Sequence, residues 1–533
     1  MGKQSKANSE QGTTATTELD RYIEEKLEKA EELRQAFEYE KALMEISEAS
    51  RSLEASGSSP AASDKKVLLL SRKAEIEKIT GKWRSAMEAL DKAISLKGSL
   101  HAKNELVNVF INKGELLSFQ GEYAESIRFF EEALETAKID NIPEECALSY
   151  YHLGAINSRM GDHQKGKELI EQCMELLKNM EETAEVRIIK AAAIIQVGLQ
   201  FFRKGKFDDA VSSYERAITI LEGREDSLEK AEAYRYIGVI HSIKSNYREA
   251  LSYHQKALQI VSHVGYLFGM AKVYNSIGQL CLDVQKLDEA LFFMGKTEKI
   301  CTDLGADAEA ATIYGKLGNV FMQKEDYENA VKYHLKDMEM CKRFGNNRAL
   351  AYTYRNLGLS YFHIHQGKEA ISYLREGLER FKELQDTVNM GRIYIDLCNA
   401  YLEQDLVKEA DEMSRMALEV LEKYPQSSDI AFAKTLSGII ARKKKDYDGA
   451  YRFFTESMEI LGWKEPTTRL IETHHELGLL YLEMKDMKKA LVNFKIALRT
   501  ARDMGLKKQV EKNLRIVEKI DEMEIVNIIL EEL

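Results

Sequence analysis

A few groupings in the sequence hold residue types that could do chemistry. The run ALFFMGKT, Ala290 to Thr297, ends in the Gly-Lys-Thr of a phosphate-binding loop. Such a loop cradles phosphates on backbone N–H groups and needs flexible glycines between a strand and a helix. Here Leu291, Phe292, Phe293 and Met294 fill the middle, and they are helix-core types, so a buried helix is expected instead. His363 and His365 flank Ile364, and His474 and His475 are adjacent, but neither pair has a third ligand at metal-binding spacing. Cys146, Cys173, Cys281, Cys301, Cys341 and Cys398 form no CxxC and no Cys/His cluster, so reduced thiols packed as small hydrophobes are expected. The basic run Arg442 to Lys445 reads as a solvated helix end, where cations favour the helix dipole. Nothing resembles a nucleophile elbow or a paired catalytic motif. The expectation is a protein that is not an enzyme, with no cofactor and no metal.

Charge narrows the partner class. The net charge is -11, against the Lys/Arg excess that phosphate backbones require, so nucleic acid is not expected as a partner. No apolar run approaches the roughly 20 residues that span a bilayer, so membrane insertion is not expected. Residues 1–18 are Ser-, Thr- and Gln-rich and lack the apolar segment of a secretory leader. They read as a disordered polar tail, and the whole as a cytoplasmic protein.

The elements that would position any site come from a repeat. Residues 311–344 read as two amphipathic helices with a tight turn at Lys324-Glu325-Asp326. Each pair can be numbered so that a small residue of its first helix is position 8. That residue is Ala30, Ala74, Gly114, Gly154, Gly198, Gly238, Gly278, Gly318, Gly358, Cys398, Gly438 and Gly478 in turn, usually 40 residues apart. Position 20, in the second helix, is small as well, from Ala42 to Ala490. A mid-helix glycine costs about 1 kcal/mol relative to Ala, so its return at one position implies close helix packing. Gly265, Gly305, Gly345 and Gly505 recur just past second helices, where a left-handed residue ends a helix. The segment 55–64 reads as a flexible loop, 506–520 as a capping helix and 524–533 as an apolar tail that packs back on the array or binds something. The domain reading is a tail over 1–18, an array over 19–505, and a cap with tail over 506–533.

With small residues at positions 8, 20 and 27 and aromatics such as Tyr314 and Tyr354 between them, the pattern resembles the tetratricopeptide repeat family. Position 27 departs from it at Asp337, a carboxylate near the expected core. The runs YGKLGNVF (314–321) and NAVKYHLKDMEMCKRFGNNRALAYTYRNLGLSYF (329–362) are most similar to the longer repeats of Pins-type signalling adaptors and kinesin light chains. The resemblance implies an all-α fold, a right-handed superhelix (α-solenoid) of about twelve helix pairs plus a C-terminal capping helix. It also implies a concave groove lined by the first helices. There this chain carries Asn108, Asn112, His152, Gln196, Arg235, Asn275, Gln279, Lys316, Asn319, Arg355, Asn356, Arg392 and Asn399. Asparagine both donates and accepts, so such a column could pair with the backbone of an extended peptide. Lys316 and Arg355 beside it would favour an acidic segment. The paired Lys/Asn clamp of chaperone-binding repeats is not intact in neighbouring repeats.

These expectations describe a non-enzymatic scaffold or adaptor that binds an extended peptide or protein segment in its groove. The alternative is a peptide- or ligand-switched regulatory repeat protein that acts through a partner.

Overall fold

A computed structural model describes residues 2–55, 60–100, 104–224, 226–424, 427–462 and 467–532, with side chains omitted for 2–17, 60–61, 104 and 521–532. Among the described residues there are twenty-five α-helices and no strand. The first pairs are α1 (Gly2–Gln35) with α2 (Tyr39–Ala55), α3 (Pro60–Ile79) with α4 (Trp83–Ser95), α5 (Asn104–Gln120) with α6 (Tyr123–Ile139), and α7 (Pro143–Met160) with α8 (His163–Leu177). Then come α9 (Ala184–Arg203) with α10 (Phe207–Ile220), α11 (Leu228–Ile243) with α12 (Tyr247–Val264), α13 (Leu267–Asp283) with α14 (Leu287–Leu304), and α15 (Asp307–Gln323) with α16 (Tyr327–Arg343). The last are α17 (Asn347–His363) with α18 (Gly367–Glu383), α19 (Thr387–Glu403) with α20 (Val407–Leu421), α21 (Ser428–Lys443) with α22 (Tyr447–Leu461), α23 (Thr468–Glu483) with α24 (Met487–Asp503), and the single α25 (Lys507–Glu532). The chain is an all-α solenoid of helix pairs. It divides into two compact units, residues 1–320 and 321–533, with the boundary inside α15.

Three local expectations are revised. Helix α1 runs back to Gly2, through the segment read as a disordered tail. That stretch has no proline, and once the packed part from Ile23 onward nucleates the helix, each further residue adds a hydrogen bond. Helix α3 begins at Pro60, so the loop between the first two pairs is shorter than residues 55–64; proline's fixed φ suits a first helical turn. Residues 507–532 form one continuous helix rather than a cap followed by a tail, and the side chains of the apolar end lie outside the described residues.

Close packing at position 8 has a specific partner, the residue at position 24 of the same pair. A Cβ on Gly114 would sit 2.5 Å from the ring of Phe130, on Gly438 2.6 Å from Phe454, and on Gly358 2.5 Å from Leu374 Cγ. These partners are fully buried knobs, and the missing methyl is the hole that takes each one. Position 20 lies alongside, since the Gly358 Cβ would also be 3.2 Å from the Ala370 carbonyl oxygen. His254 and His334 also occupy position 24. Both are fully buried, and neither ring nitrogen has a hydrogen-bond partner among the described residues. Burial, helped at His254 by Arg235, pushes each down to about 4, so both are neutral at pH 7. The run Ala290–Thr297 lies within α14, with Ala290, Met294 and Thr297 buried.

The turn inside each pair follows one rule. Position 15 is left-handed in all twelve pairs: Phe37, Gly81, Gly121, Gly161, Gly205, Ser245, Gln285, Glu325, His365, Asp405, Lys445 and Lys485. Position 16 then caps the second helix, and where it is aspartate the side chain accepts a backbone N–H, as Asp326 does from Asn329 and Asp486 from Lys489. The outer turns are left-handed at Gly265, Gly305, Gly345 and Gly505, as the sequence implied, and at Asn141.

Asp337 is the one acid at position 27. The Thr353 hydroxyl donates to it at 2.5 Å, and burial raises its carboxyl above the ordinary 3.8. A raised folded value means that Asp337 helps stability only while protonated. The contribution is complete below the unfolded value and lost as pH rises through the folded one. Asp337→Ala should therefore raise the thermal midpoint at pH 7, and the gain should shrink as pH approaches 4. Melts of both proteins across that range check the sign. A second expectation concerns the inner turn. A left-handed L-residue costs about 1–2 kcal/mol, part of which glycine returns as unfolded-chain entropy. Gln285→Gly and Lys485→Gly should each gain roughly 0.5 kcal/mol in urea unfolding, and the gains should add.

Candidate functional site

Within the first unit the helix pairs turn far enough to meet themselves. Phe37 stacks edge-on against His263 at 4.8 Å, and the Tyr39 hydroxyl donates to the Val264 carbonyl at 2.7 Å. Both residues sit at the inner turn of the first pair, and their partners at the end of α12. In the second pair, Trp83 lies 5.4 Å from Phe268, which also meets Phe119 at 4.4 Å. Gly81 permits this approach: a Cβ there would sit 2.7 Å from Leu304 and 2.9 Å from Leu267, and its φ of 82° suits glycine. Pairs one to three thus close against pairs six and seven.

The closure borders a half-open cavity of about 690 Å³, lined mainly by first helices. Its size is that of a typical ligand pocket. Ile111, Ile156, Ile189, Ile195 and Phe130 give it apolar walls. Among them stand Tyr151, His152, Gln196, Glu229, Glu232, Tyr236 and Lys272, deep in the unit yet keeping accessible surface, as side chains facing an internal space do. The charges are largely compensated. Lys78 donates to Asn112 at 2.6 Å and pairs with Glu115, with His152 4.0 Å from that carboxylate. Burial alone would raise Glu115, but Lys78 and His152 hold it below its usual range. Burial outweighs Glu115 at His152 and lowers it, so the ring is neutral at pH 7. Glu232 takes two bonds of 2.9 Å from Arg235 and one of 2.7 Å from Lys272. These cations hold it well below the carboxylate range against the effect of burial. Glu229 differs. It accepts from the Ser227 hydroxyl at 2.8 Å, and burial raises its carboxyl.

The groove residues named from sequence fall into both units. Asn108, Asn112, His152 and Gln196 line the cavity. Asn275 donates to Glu309 and Thr312 at 2.9 Å and accepts from Lys316 at 3.3 Å, while burial lowers the Lys316 amine. Gln279 donates to Asp283 at 2.9 Å, and Asn319 is exposed on α15. In the second unit Arg355 is paired with Asp396 at 2.6 Å, and Arg392 with Asp429 at 2.9 Å, which Arg469 also clasps at 2.7 Å. Asn356 and Asn399 are half-buried. Both arginines tie one first helix to the next, so neither charge is uncompensated. Tyr151, Glu229, Tyr266 and Phe268 escaped the sequence reading. The repeat spacing does not single them out, and only closure brings them together. Among the described residues no group of three or more His, Cys, Asp or Glu is placed to hold a metal, and no helix is long and apolar enough to cross a membrane.

Comparison with known proteins fits this geometry. The tetratricopeptide repeat family matches residues 189–263 and 309–383 in one form and 107–140 and 147–178 in another. Repeats of that family are therefore recognised in both units. A search of curated proteins found no match. Among solved structures, the fold is similar to a signal-transduction ATPase with numerous domains carrying a tetratricopeptide repeat sensor, from Pyrococcus horikoshii. That likeness has a TM-score of 0.51 at 13% identity and covers 79% of this chain and 65% of that one. A weaker likeness is to a Rap protein complexed with competence and sporulation factor, at TM-score 0.42 and 12% identity, covering 71% of this chain and 98% of that one. Another is to yeast Tom70, at TM-score 0.34 and 14% identity, covering 95% and 96%. These likenesses concern the fold alone.

If closure holds the cavity together, Phe268→Ala should cost roughly 3–5 kcal/mol, as for a buried aromatic. Hydrogen exchange should speed up at the inner turns around Phe37 and Gly81. Unchanged exchange there would show that the first three pairs are held by other contacts.

Proposed function

We propose that the protein is a non-enzymatic interaction scaffold or adaptor that binds an extended peptide or protein segment on the inner faces of its helix pairs. One observation supports this most: the first unit lines a half-open cavity with Tyr151, His152, Gln196 and Lys272, where a plain core would be aliphatic. Polar groups that keep accessible surface inside a protein are positioned to exchange water for a ligand. The finer resemblance to Pins-type adaptors and kinesin light chains agrees with an adaptor role, and a cytoplasmic setting suits it. A preference for an acidic segment draws no support from Arg355, which is bound to Asp396.

The second reading, a ligand-switched regulator, draws on the closure contact. A ligand in the cavity would bear on Phe268 and Tyr266, which line it, and so on the contact with Trp83. Ligand binding would then shift the closed state by its differential affinity.

The test is affinity capture followed by calorimetry on the purified partner. The double variant Tyr151→Ala/Gln196→Ala should weaken binding by about a hundredfold if each contact contributes on the order of 1–2 kcal/mol, while circular dichroism stays unchanged. Equal affinity would move the binding face away from the first unit. The pair Asn356→Ala/Asn399→Ala asks the same of the second.

A further inference from the structure

Four carboxylates line the cavity, from three different helices, and three of them are answered by cations. Glu75 on α3 has Arg72. Glu115 on α5 has Lys78, and Glu232 on α11 has Arg235 and Lys272. Glu229, one turn before Glu232 on α11, forms no ion pair among the described residues; its carboxylate accepts from the Ser227 hydroxyl. Glu115, Glu229 and Glu232 all bear on the phenols of Tyr151 and Tyr266, which burial and these charges raise. Glu229 also lies in the first turn of α11, where the helix dipole favours a negative charge. The site therefore combines one acid outside any ion pair, aromatic rings whose faces attract cations, and apolar walls, with Arg159 and Arg203 at its exposed margin.

We infer that the cavity of the first unit accepts a primary ammonium group on an apolar stem, with Glu229 as its counter-charge and Tyr151 and Tyr266 beside it. This rests on the inner face being the binding face, as proposed above. The ammonium could belong to a lysine side chain of a bound segment or to a free alkylamine, and the chemistry of the site is the same for both. The stem would lie against Leu228 and Ile189, which line the same space. An ammonium there would complete the pattern already seen at Glu115 and Glu232.

The full chain should be titrated calorimetrically with hexylamine, with hexanol as the neutral analogue, and with a capped pentapeptide holding one lysine between leucines. Hexylamine should bind one to one in the millimolar range and about tenfold more tightly than hexanol, the difference expected of one charge-assisted hydrogen bond. Glu229→Gln, which keeps the shape and can still accept from Ser227, should erase that difference. Competition between the peptide and hexylamine would assign the ammonium to a protein segment; hexylamine binding alone would assign it to a free amine. Equal binding of hexylamine and hexanol, equal binding to wild type and Glu229→Gln, or no binding by either amine overturns the proposal. The wild-type comparison decides even if the variant fails to fold. If a captured partner binds Glu229→Gln at full strength but loses affinity for Tyr151→Ala/Gln196→Ala, the ammonium site falls while the inner binding face stands.

Discussion

Most helix pairs depend on a contact between a small residue and a large one. The first helix supplies a hole at position 8, and the second supplies a knob at position 24, such as Phe130 against Gly114 or Leu374 against Gly358. Glycine is a poor helix former, and losing about 1 kcal/mol at each such site is offset by burying a whole aromatic or aliphatic side chain, worth roughly 1.5–3 kcal/mol. With helix separation set, the turn between helices has little freedom. Position 15 must reverse the chain in one residue, which is why it is left-handed even at Phe37 and Glu325, where the side chain opposes it.

Repetition of this contact stacks the pairs, but it does not dictate what the inner face carries. Close approach of successive first helices brings charged side chains together, and the two units resolve this differently. In the second, Arg355, Arg392 and Arg469 clasp Asp396 and Asp429, so each charge is answered by the next repeat. In the first, closure narrows the access of water to the inner face and raises the cost of any unpaired ion. Glu75, Glu115 and Glu232 there are paired with cations, and Glu229 forms no ion pair among the described residues.

The part legible in the sequence is the part that repeats. Gly358, Gly438 and the glycines after the second helices recur at fixed spacing because local geometry demands them, and the structure places them as that spacing implies. The knobs were harder to see, since position 24 varies from Tyr214 to His254 to Met294 and only its burial is constant. Closure was invisible. Phe37 meets His263 and Trp83 meets Phe268 across most of a unit's length, and no local pattern records a contact between distant repeats. Arg355 and Arg392, expected in the groove, are both ion-paired. Their partners Asp396 and Asp429 lie 41 and 37 residues on, in the following pair.

Closure also changes what a solenoid can recognise. An open array offers a surface, on which a polar side chain competes with bulk water and an exposed ion pair contributes little. Once Trp83, Phe119 and Phe268 seal one side, the same side chains face a small volume with apolar walls, where a single charge is felt strongly. The seal consists of residues at turns and helix ends that also serve their own pairs, as the Trp83 indole does by donating to the Lys78 carbonyl at 3.0 Å. Gly81 shows the constraint most directly, because it must be small for Leu267 and Leu304 to reach it and left-handed for the turn to form. The same few positions thus build the turn and close the unit, so one fold can be either an open surface or a lined chamber according to a few side chains at its turns.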